Sequence, residues 1–183
     1  MMEFIVGVDP GKEGAICLLG VDKLKGNSQF TFWDNKELLE PELFLEGFSG
    51  NFIAAIESST PTKLVLEKVH SLGNMSAKSN FSFGSNVGIG KWCAEVLARA
   101  YEIPLVEVTP QKWQKEIGFP SLTKEEKAGM DQNKRTKAQK QRALEYALKL
   151  YPEAEQYLFT ERGRMLDGRV DSLLIARWGI TTE

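Results

Sequence analysis

Short apolar segments alternate with polar, glycine-containing segments along the first part of the chain. Residues 4–9 and 14–19 are apolar runs on either side of a Pro-Gly turn, which predicts a β-hairpin. Residues 29–33 alternate between polar and apolar side chains and predict a third strand. Residues 64–66, followed by a glutamate, and residues 105–108 predict a fourth and a fifth strand.

Apolar residues spaced three and four apart predict the helices. The helical segments are residues 41–58, 86–101, 136–150 and 168–178, with a short helix around Trp113. In the second helix, the predicted core-facing residues are Val87, Trp92, Val96 and Ala100. The resulting order predicts one mixed α/β domain over residues 1–183, in which an antiparallel meander precedes two parallel strands.

The composition of two segments indicates that they are loops. The stretch from Glu67 to about Asn80 is rich in Gly, Ser and Asn. Residues 121–133 carry many charges and Gly129 but show no apolar period, so we expect a mobile loop there.

Composition narrows the class of protein. The 183 residues carry a net charge of −2, and no run of about 18 uncharged apolar residues predicts a membrane span. The start has neither a basic region nor a long apolar region, so we expect a cytoplasmic protein without a membrane partner. Two distant cysteines and one histidine make a zinc site or a disulfide scaffold improbable. Any bound metal should therefore have oxygen ligands.

Charge is uneven along the chain. Residues 1–60 hold four basic and ten acidic residues, whereas residues 111–142 hold nine basic and four acidic ones. The basic segment predicts a local contact with a polyanion. The alternative is a solvated helix whose charges pair at i,i+4.

Four acidic residues are the candidate catalytic and metal-binding residues. Asp9 and Glu67 each end an apolar strand, where a carboxylate needs a cation or another reason to be there. Asp167 and Asp171 are four residues apart at the start of the last helix and share one face. Converging carboxylates of this kind can hold two Mg²⁺ ions for phosphoryl chemistry. Asp167 has an alternative interpretation as a helix N-cap.

Three segments together resemble the RuvC-type Holliday junction resolvases. They are Phe-Ile-Val-Gly-Val-Asp-Pro-Gly at 4–11, Leu-Val-Leu-Glu-Lys-Val-His at 64–70 and Asp-Gly-Arg-Val-Asp-Ser-Leu-Leu at 167–174. Phe-Ser-Phe-Gly at 81–84 and Val-Thr-Pro at 108–110, just before Trp113, are similar to the phage and prophage branch.

The resemblance implies an RNase H-like fold, a homodimer, and paired nicking of four-way DNA junctions with Mg²⁺ or Mn²⁺. By position, Asp9, Glu67 and Asp171 match the metal-binding acids of the family, and Asp167 matches the fourth. Lys137 and Lys115 match lysines near the scissile phosphate, although the second of these could instead be Lys112.

The resemblance also suggests DNA contacts. His70 stands where bacterial members carry a base-wedging aromatic residue. Phe81, Phe83 and Asn86 would lie in a loop near unpaired bases; alternatively, the two phenylalanines fill the core below that loop. The helix that includes Gly88 and Gly90 matches the dimer-packing region. Further basic residues expected to contact phosphates are Lys134, Arg135 and Lys140.

The leading prediction is a Holliday junction resolvase that leaves 5′-phosphate nicks. Two alternatives are a broader nuclease for flaps, branched DNA or RNA–DNA hybrids, and a junction-binding protein without turnover. An actin-like ATPase also begins with a strand followed by Asp-x-Gly, but the chain is too short for two such lobes. We therefore expect no nucleotide cofactor.

Overall fold

A computed structural model describes residues 2–36, 50–69 and 76–182. Its five strands form one mixed sheet in the order β3-β2-β1-β4-β5. The first three strands pair antiparallel, whereas β4 lies parallel to β1 and β5 lies parallel to β4. The predicted mixed five-stranded α/β fold is confirmed. The strands are β1 (Met2–Val8), β2 (Ala15–Asp22), β3 (Asn27–Asp34), β4 (Lys63–Glu67) and β5 (Leu105–Val108).

Helices cover both faces of the sheet. They are α1 (Ile53–Ser59), α2 (Ala77–Ala100), α3 (Pro110–Glu116), α4 (Lys124–Lys127), α5 (Gln132–Leu150), a 3₁₀ helix (Pro152–Tyr157) and α6 (Asp167–Thr181). None of the helices in the described ranges has the length and apolar character needed to cross a bilayer.

The alternation of strand side chains gives the sheet two apolar faces. Ile5 and Val65 point to the face covered by α6, with α5 packed behind it. Val6 and Leu64 point to the other face, which α1 and α2 cover. Phe52, directly before α1, packs edge-on against Trp33 with ring centroids 4.5 Å apart.

Glycines let α6 approach the backbone of the sheet. A Cβ atom on Gly7 of β1 would overlap the carbonyl oxygen of Ser172. A Cβ atom on Gly168 would overlap the carbonyl oxygen of Glu13, and Gly168 forms a backbone bridge with Gly14 in the β1–β2 turn. The start of α6 is therefore held directly against the end of β1.

Helix α2 differs from the prediction in its start and in its buried face. It begins at Ala77 rather than at residue 86, because Ser76 caps it by accepting the backbone N–H of Ser79. The predicted core residues Trp92 and Val96 are exposed instead. The helix packs through small residues, since its buried positions are Gly90, Cys93, Ala94, Leu97 and Ala98.

The predicted mobile loop at 121–133 is wrong in part, because it contains α4. Thr123 and Glu126 form a capping box, in which each side chain accepts the backbone N–H of the other residue. Asp131 then caps α5, which begins at Gln132, four residues earlier than predicted. Of the predicted helix at 41–58, the structure shows a π-helical turn at residues 50–52 that continues into α1 at Ile53, and residues 41–49 lie outside the described ranges.

Candidate active site

Strand register brings two of the four predicted acids together. Val8 of β1 pairs with Leu66 of the parallel strand β4. The next residues, Asp9 and Glu67, therefore come to the same edge of the sheet. The pKa of Asp9 responds to the charge of Asp167, and that of Glu67 responds to the charge of Asp9. The edge is thus a cluster of mutually repelling carboxylates.

Asp9 opens the turn between β1 and β2. Its Oδ1 accepts the backbone N–H of Gly11 at 3.1 Å, and its own N–H donates to the carbonyl of Ala15 at 3.0 Å. Desolvation of the carboxylate raises its pKa to about 6. The Gly11 N–H opposes this rise, the charge of Asp167 adds to it, and the charge of Lys140 opposes it.

Glu67 is oriented by an indole that the sequence did not indicate as part of the site. Trp113 of α3 is buried, and its Nε1–H donates to Glu67 Oε1 at 2.8 Å. Burial, and secondarily the charge of Asp9, raise the pKa of Glu67 to about 7, while the bond from Trp113 lowers it. Trp113 therefore fixes the rotamer of this carboxylate and favours its ionised form.

The two aspartates of α6 differ in environment. Burial, followed by the charges of Asp9, Glu67 and Asp167, raises the pKa of Asp171 well above its usual range. Asp167 is not the N-cap, because Leu166 occupies that position and makes no side-chain cap bond. Asp167 instead forms an ion pair with Lys140 of α5.

Lys140 was predicted as a DNA contact, and the structure places it at the carboxylate cluster. Besides pairing with Asp167, its charge opposes the raised pKa values of Asp9 and Asp171. Its position on α5, three residues after Lys137, gave no sequence signal for this contact. Lys140 therefore partly neutralises the cluster.

Asn35 is a further residue that the sequence analysis missed. Its side chain is buried directly after β3, and its Nδ2 donates to the carbonyl oxygens of Asp9 and Gly11 at 2.7 Å each. Its backbone N–H donates to the carbonyl of Gly14 at 2.9 Å. Three bonds from one residue therefore hold the turn that carries Asp9.

The four carboxylates are the candidate ligands of the predicted Mg²⁺ ions. Within the described ranges, no three Asp, Glu, His or Cys side chains form a preformed metal site. The chemistry of the donors nevertheless fits a hard divalent cation, because all four side chains supply carboxylate oxygens. Like charges that raise each other's pKa values are also the groups that a bound cation would stabilise.

The other predicted basic residues are distributed along α3 and α5. Lys115, Lys134 and Lys137 are exposed. Lys112 lies over the ring of Trp178, with its Nζ 5.7 Å from the ring centroid. Since Trp178 follows Asp171 by seven residues of helix, Lys112 contacts α6 about 10 Å along the axis from that carboxylate.

The predicted base-contacting residues lie on a helix rather than in a loop. Phe81, Phe83 and Asn86 all belong to α2. Phe81 is 79% exposed, so the alternative that it fills the core is wrong. Phe83 and Asn86 are half-buried. His70 lies outside the described residues.

The two glycines of α2 in the predicted dimer-packing region have different surroundings. Gly90 faces the protein interior, because a Cβ there would lie 3.1 Å from Pro10 in the turn after Asp9. Gly88 is exposed and has open space around its Cα. Gly90 therefore helps to seat the Asp9 turn rather than a partner subunit.

The chain has the RNase H-like fold found in RuvC-type Holliday junction resolvases. A Thermus thermophilus RuvC structure, solved in complex with a Holliday junction substrate, is similar with a TM-score of 0.57 and 14% identity, over 96% of this chain and 91% of that one. A second T. thermophilus RuvC structure gives a TM-score of 0.55 and 13% identity, over 96% and 92% of the two chains.

A eukaryotic resolvase has the same fold. The crystal structure of the yeast mitochondrial Holliday junction resolvase Ydc2 is similar with a TM-score of 0.53 and 15% identity, over 97% of this chain and 79% of that one. No protein-family model and no curated protein sequence matches the chain. At these identities the similarity is one of fold.

Proposed function

We propose that the protein is an endonuclease that resolves four-way DNA junctions by metal-dependent hydrolysis. The observation that carries the proposal is the convergence of Asp9, Glu67, Asp167 and Asp171 at one sheet edge of a RuvC-like fold. In the reaction, water adds to phosphorus and the P–O3′ bond breaks. The products carry a 5′-phosphate and a 3′-hydroxyl.

The four carboxylates would hold two Mg²⁺ ions, with Mn²⁺ as a substitute. Such ions supply activation of the water and stabilisation of the leaving oxygen. The chain's own residues keep the carboxylates in place: Asn35 holds the Asp9 turn and Trp113 orients Glu67. Lys137 and Lys115 would face the scissile phosphate and stabilise its developing charge.

DNA binding is supported by the basic residues of α3 and α5. Lys112, Lys134, Arg135 and Lys140 are candidates for phosphate contacts, which give affinity without sequence information. Phe81 is large, apolar and 79% exposed, so it remains a candidate to stack on an unpaired base. Phe83, Asn86 and His70 are the other candidates for base contacts.

A homodimer would provide two active sites for paired nicks. Helix α2 carries exposed apolar residues, among them Ile89, Trp92 and Val96, and Trp92 is 61% exposed. Trp92 follows Ile89 by three residues and precedes Val96 by four, so all three side chains lie on one side of the helix. An exposed apolar stripe of this kind is typical of a protein interface. We expect Trp92→Glu to convert a dimer into a monomer in sedimentation velocity experiments.

The decisive experiment is cleavage of an end-labelled, immobile four-way junction in Mg²⁺. Linear duplex, flap and RNA–DNA hybrid substrates are the controls. We expect paired, symmetric nicks on the junction, and we expect Asp9→Asn to bind the junction without cutting it. Equal cutting of flaps or hybrids would indicate a broader debranching nuclease. Tight junction binding without cutting would overturn the proposed hydrolysis.

A further inference from the structure

An open cavity of about 440 Å³ lies between the first half of α5 and the segment that contains α4. Its lining side chains are mostly cations, amides and a hydroxyl, and the described residues that line it include no carboxylate. The polar lining residues are Lys127, Gln132, Arg135, Thr136, Gln139 and Lys140.

The lining residues of α5 occupy one continuous stripe of the helix. Gln132, Arg135, Thr136, Gln139 and Lys140 have the i, i+3, i+4, i+7 and i+8 spacing of a single face. One turn further along, the same stripe reaches the buried residues 143 and 147 of the core. Such a stripe is normally apolar throughout. Here its first half presents hydrogen-bond donors to a cavity.

The opposite wall of the cavity is fixed in place. Glu126 of α4 accepts two hydrogen bonds from Arg142 of α5, at 2.6 and 3.0 Å. This bidentate pair holds Leu122 and Lys127, which line the cavity, against α5. The carboxylate of Glu126 is engaged by Arg142. Among the described residues it therefore does not neutralise Arg135 or Lys127, which can bind another anion.

Arg135 gives the clearest sign that the cavity takes a ligand. Its Nε is buried and has no hydrogen-bond partner among the described residues. A buried, unpaired N–H of a charged group is unfavourable. Rotation of this half-buried side chain toward an anion in the cavity would give the N–H an acceptor. Lys140, which also lines the cavity, pairs with Asp167. The cavity therefore lies next to the carboxylate cluster.

We propose that this cavity binds one backbone phosphate of the DNA strand that enters the candidate active site. Arg135 would donate to the phosphate oxygens, with Lys127 contributing charge and Gln132 and Gln139 contributing amide donors. The proposal rests on the proposed function, because it needs DNA to be the ligand of the carboxylate edge. It adds a specific phosphate subsite to that function.

The test is the salt dependence of junction binding by Arg135→Gln. Fluorescence anisotropy of a labelled four-way junction, in Ca²⁺ and over a range of KCl concentrations, gives affinity and salt slope. We expect affinity at low salt to fall about tenfold and the slope of log K against log salt to become less negative by about 0.9, because one phosphate contact is lost. The unfolding temperature of the Arg135→Gln variant should not fall, because the Arg135 Nε has no hydrogen-bond partner among the described residues that the substitution would remove.

Lys149→Gln is the matched control, because Lys149 is an exposed cation on the last turn of the same helix. We expect wild-type affinity and slope from it. Arg135→Lys, which keeps the charge but loses the guanidinium, should retain the wild-type slope with weakened binding. A wild-type affinity and slope in Arg135→Gln would overturn the phosphate subsite.

The two proposals fail in different ways. If the wild type binds linear duplex as tightly as the junction, and cuts neither, the proposed function fails. An effect of Arg135→Gln on duplex binding would still support the phosphate subsite in that case. Inorganic phosphate, added at matched ionic strength, should weaken DNA binding in the wild type. The same weakening in Arg135→Gln would contradict the assignment of the phosphate to this cavity.

Discussion

Replacing Asp9 with asparagine removes a negative charge that is unfavourable in the folded protein when no cation is bound. The pKa of Asp9 is raised from 3.8 to about 6. A difference of about two pH units corresponds to about 3 kcal/mol at pH 8. Because the side chain is half-buried and interacts with other acids, solvent screening reduces this value. We expect Asp9→Asn to raise the free energy of unfolding of the metal-free protein by about 1–2 kcal/mol.

The sign of the pH dependence follows from the same pKa values. Asp9 and Glu67 have pKa values raised to about 6 and about 7, so the folded protein binds more protons than the unfolded chain between about pH 4 and 7. Stability should therefore fall as pH rises through this range. The loss should be complete above about pH 7, where both groups are ionised in the folded state.

The assay is thermal unfolding followed by circular dichroism, with EDTA at pH 5 and pH 8, and with Mg²⁺ at pH 8. For a chain of this length, 1–2 kcal/mol corresponds to a higher unfolding temperature by about 3–6 °C. The gain from Asp9→Asn should be complete at pH 8 and about half as large at pH 5, because a carboxyl of pKa 3.8 is already ionised in the unfolded chain at pH 5. Added Mg²⁺ should raise the unfolding temperature of the wild type more than that of the variant.

A remote carboxylate provides the control. Glu155→Gln changes the net charge equally at an exposed position of the 3₁₀ helix and should leave all three unfolding temperatures unchanged. Two results would contradict the interpretation that the carboxylates at this sheet edge repel one another and bind a cation. One is a lower unfolding temperature of Asp9→Asn at pH 8 in EDTA, and the other is equal stabilisation of wild type and variant by Mg²⁺.

Three further variants test the residues that surround the carboxylates. Asn35→Ala should destabilise the protein by about 2–3 kcal/mol in urea unfolding, because two buried hydrogen bonds to the Asp9 turn are lost; a loss below about 0.5 kcal/mol would contradict this. Trp113→Phe removes the donor that lowers the pKa of Glu67, so the acidic limb of the pH–rate profile should move to higher pH; an unchanged limb would count against the bond. Lys140→Gln removes the cation that pairs with Asp167, so calorimetry should show Mn²⁺ binding about two- to fivefold tighter; weaker binding would refute competition between lysine and metal.

The strands were predictable because their signal is local. Five apolar or alternating runs separated by turn residues predicted the five strands, with an antiparallel meander followed by two parallel strands. The pairing of β1 with β4, and hence the spatial strand order, became visible only in the structure. The acids stood out because a charged residue at the end of an apolar strand is exceptional. No comparable local signal marks a polar residue such as Asn35, which looks like an ordinary turn residue until the fold brings it to Asp9.

Helix α2 was mispredicted because its burial does not follow side-chain size. The large residues Phe81 and Trp92 are exposed, whereas Gly90 and Ala94 are buried. A pattern analysis assumes that large apolar residues face the core of the same chain. That assumption fails where a helix presents them to something else. Ion pairs are equally hard to predict from the sequence. The pairing of Lys140 with Asp167 depends on how α5 packs against α6.

The direct backbone contacts of α6 with β1 and the β1–β2 turn bear on how the site can change during evolution. Gly7 and Gly168 leave no room for a side chain between the elements that carry Asp9 and Asp171, and a Cβ on Gly14 would overlap the carbonyl oxygen of Asp9 itself. The spacing of these carboxylates is thus set by main chain, which no rotamer change can adjust. In a saturation mutagenesis experiment, these three positions should tolerate as few substitutions as the acids themselves. Their variants would lose folded protein, whereas variants of the acids would remain folded and lose only turnover.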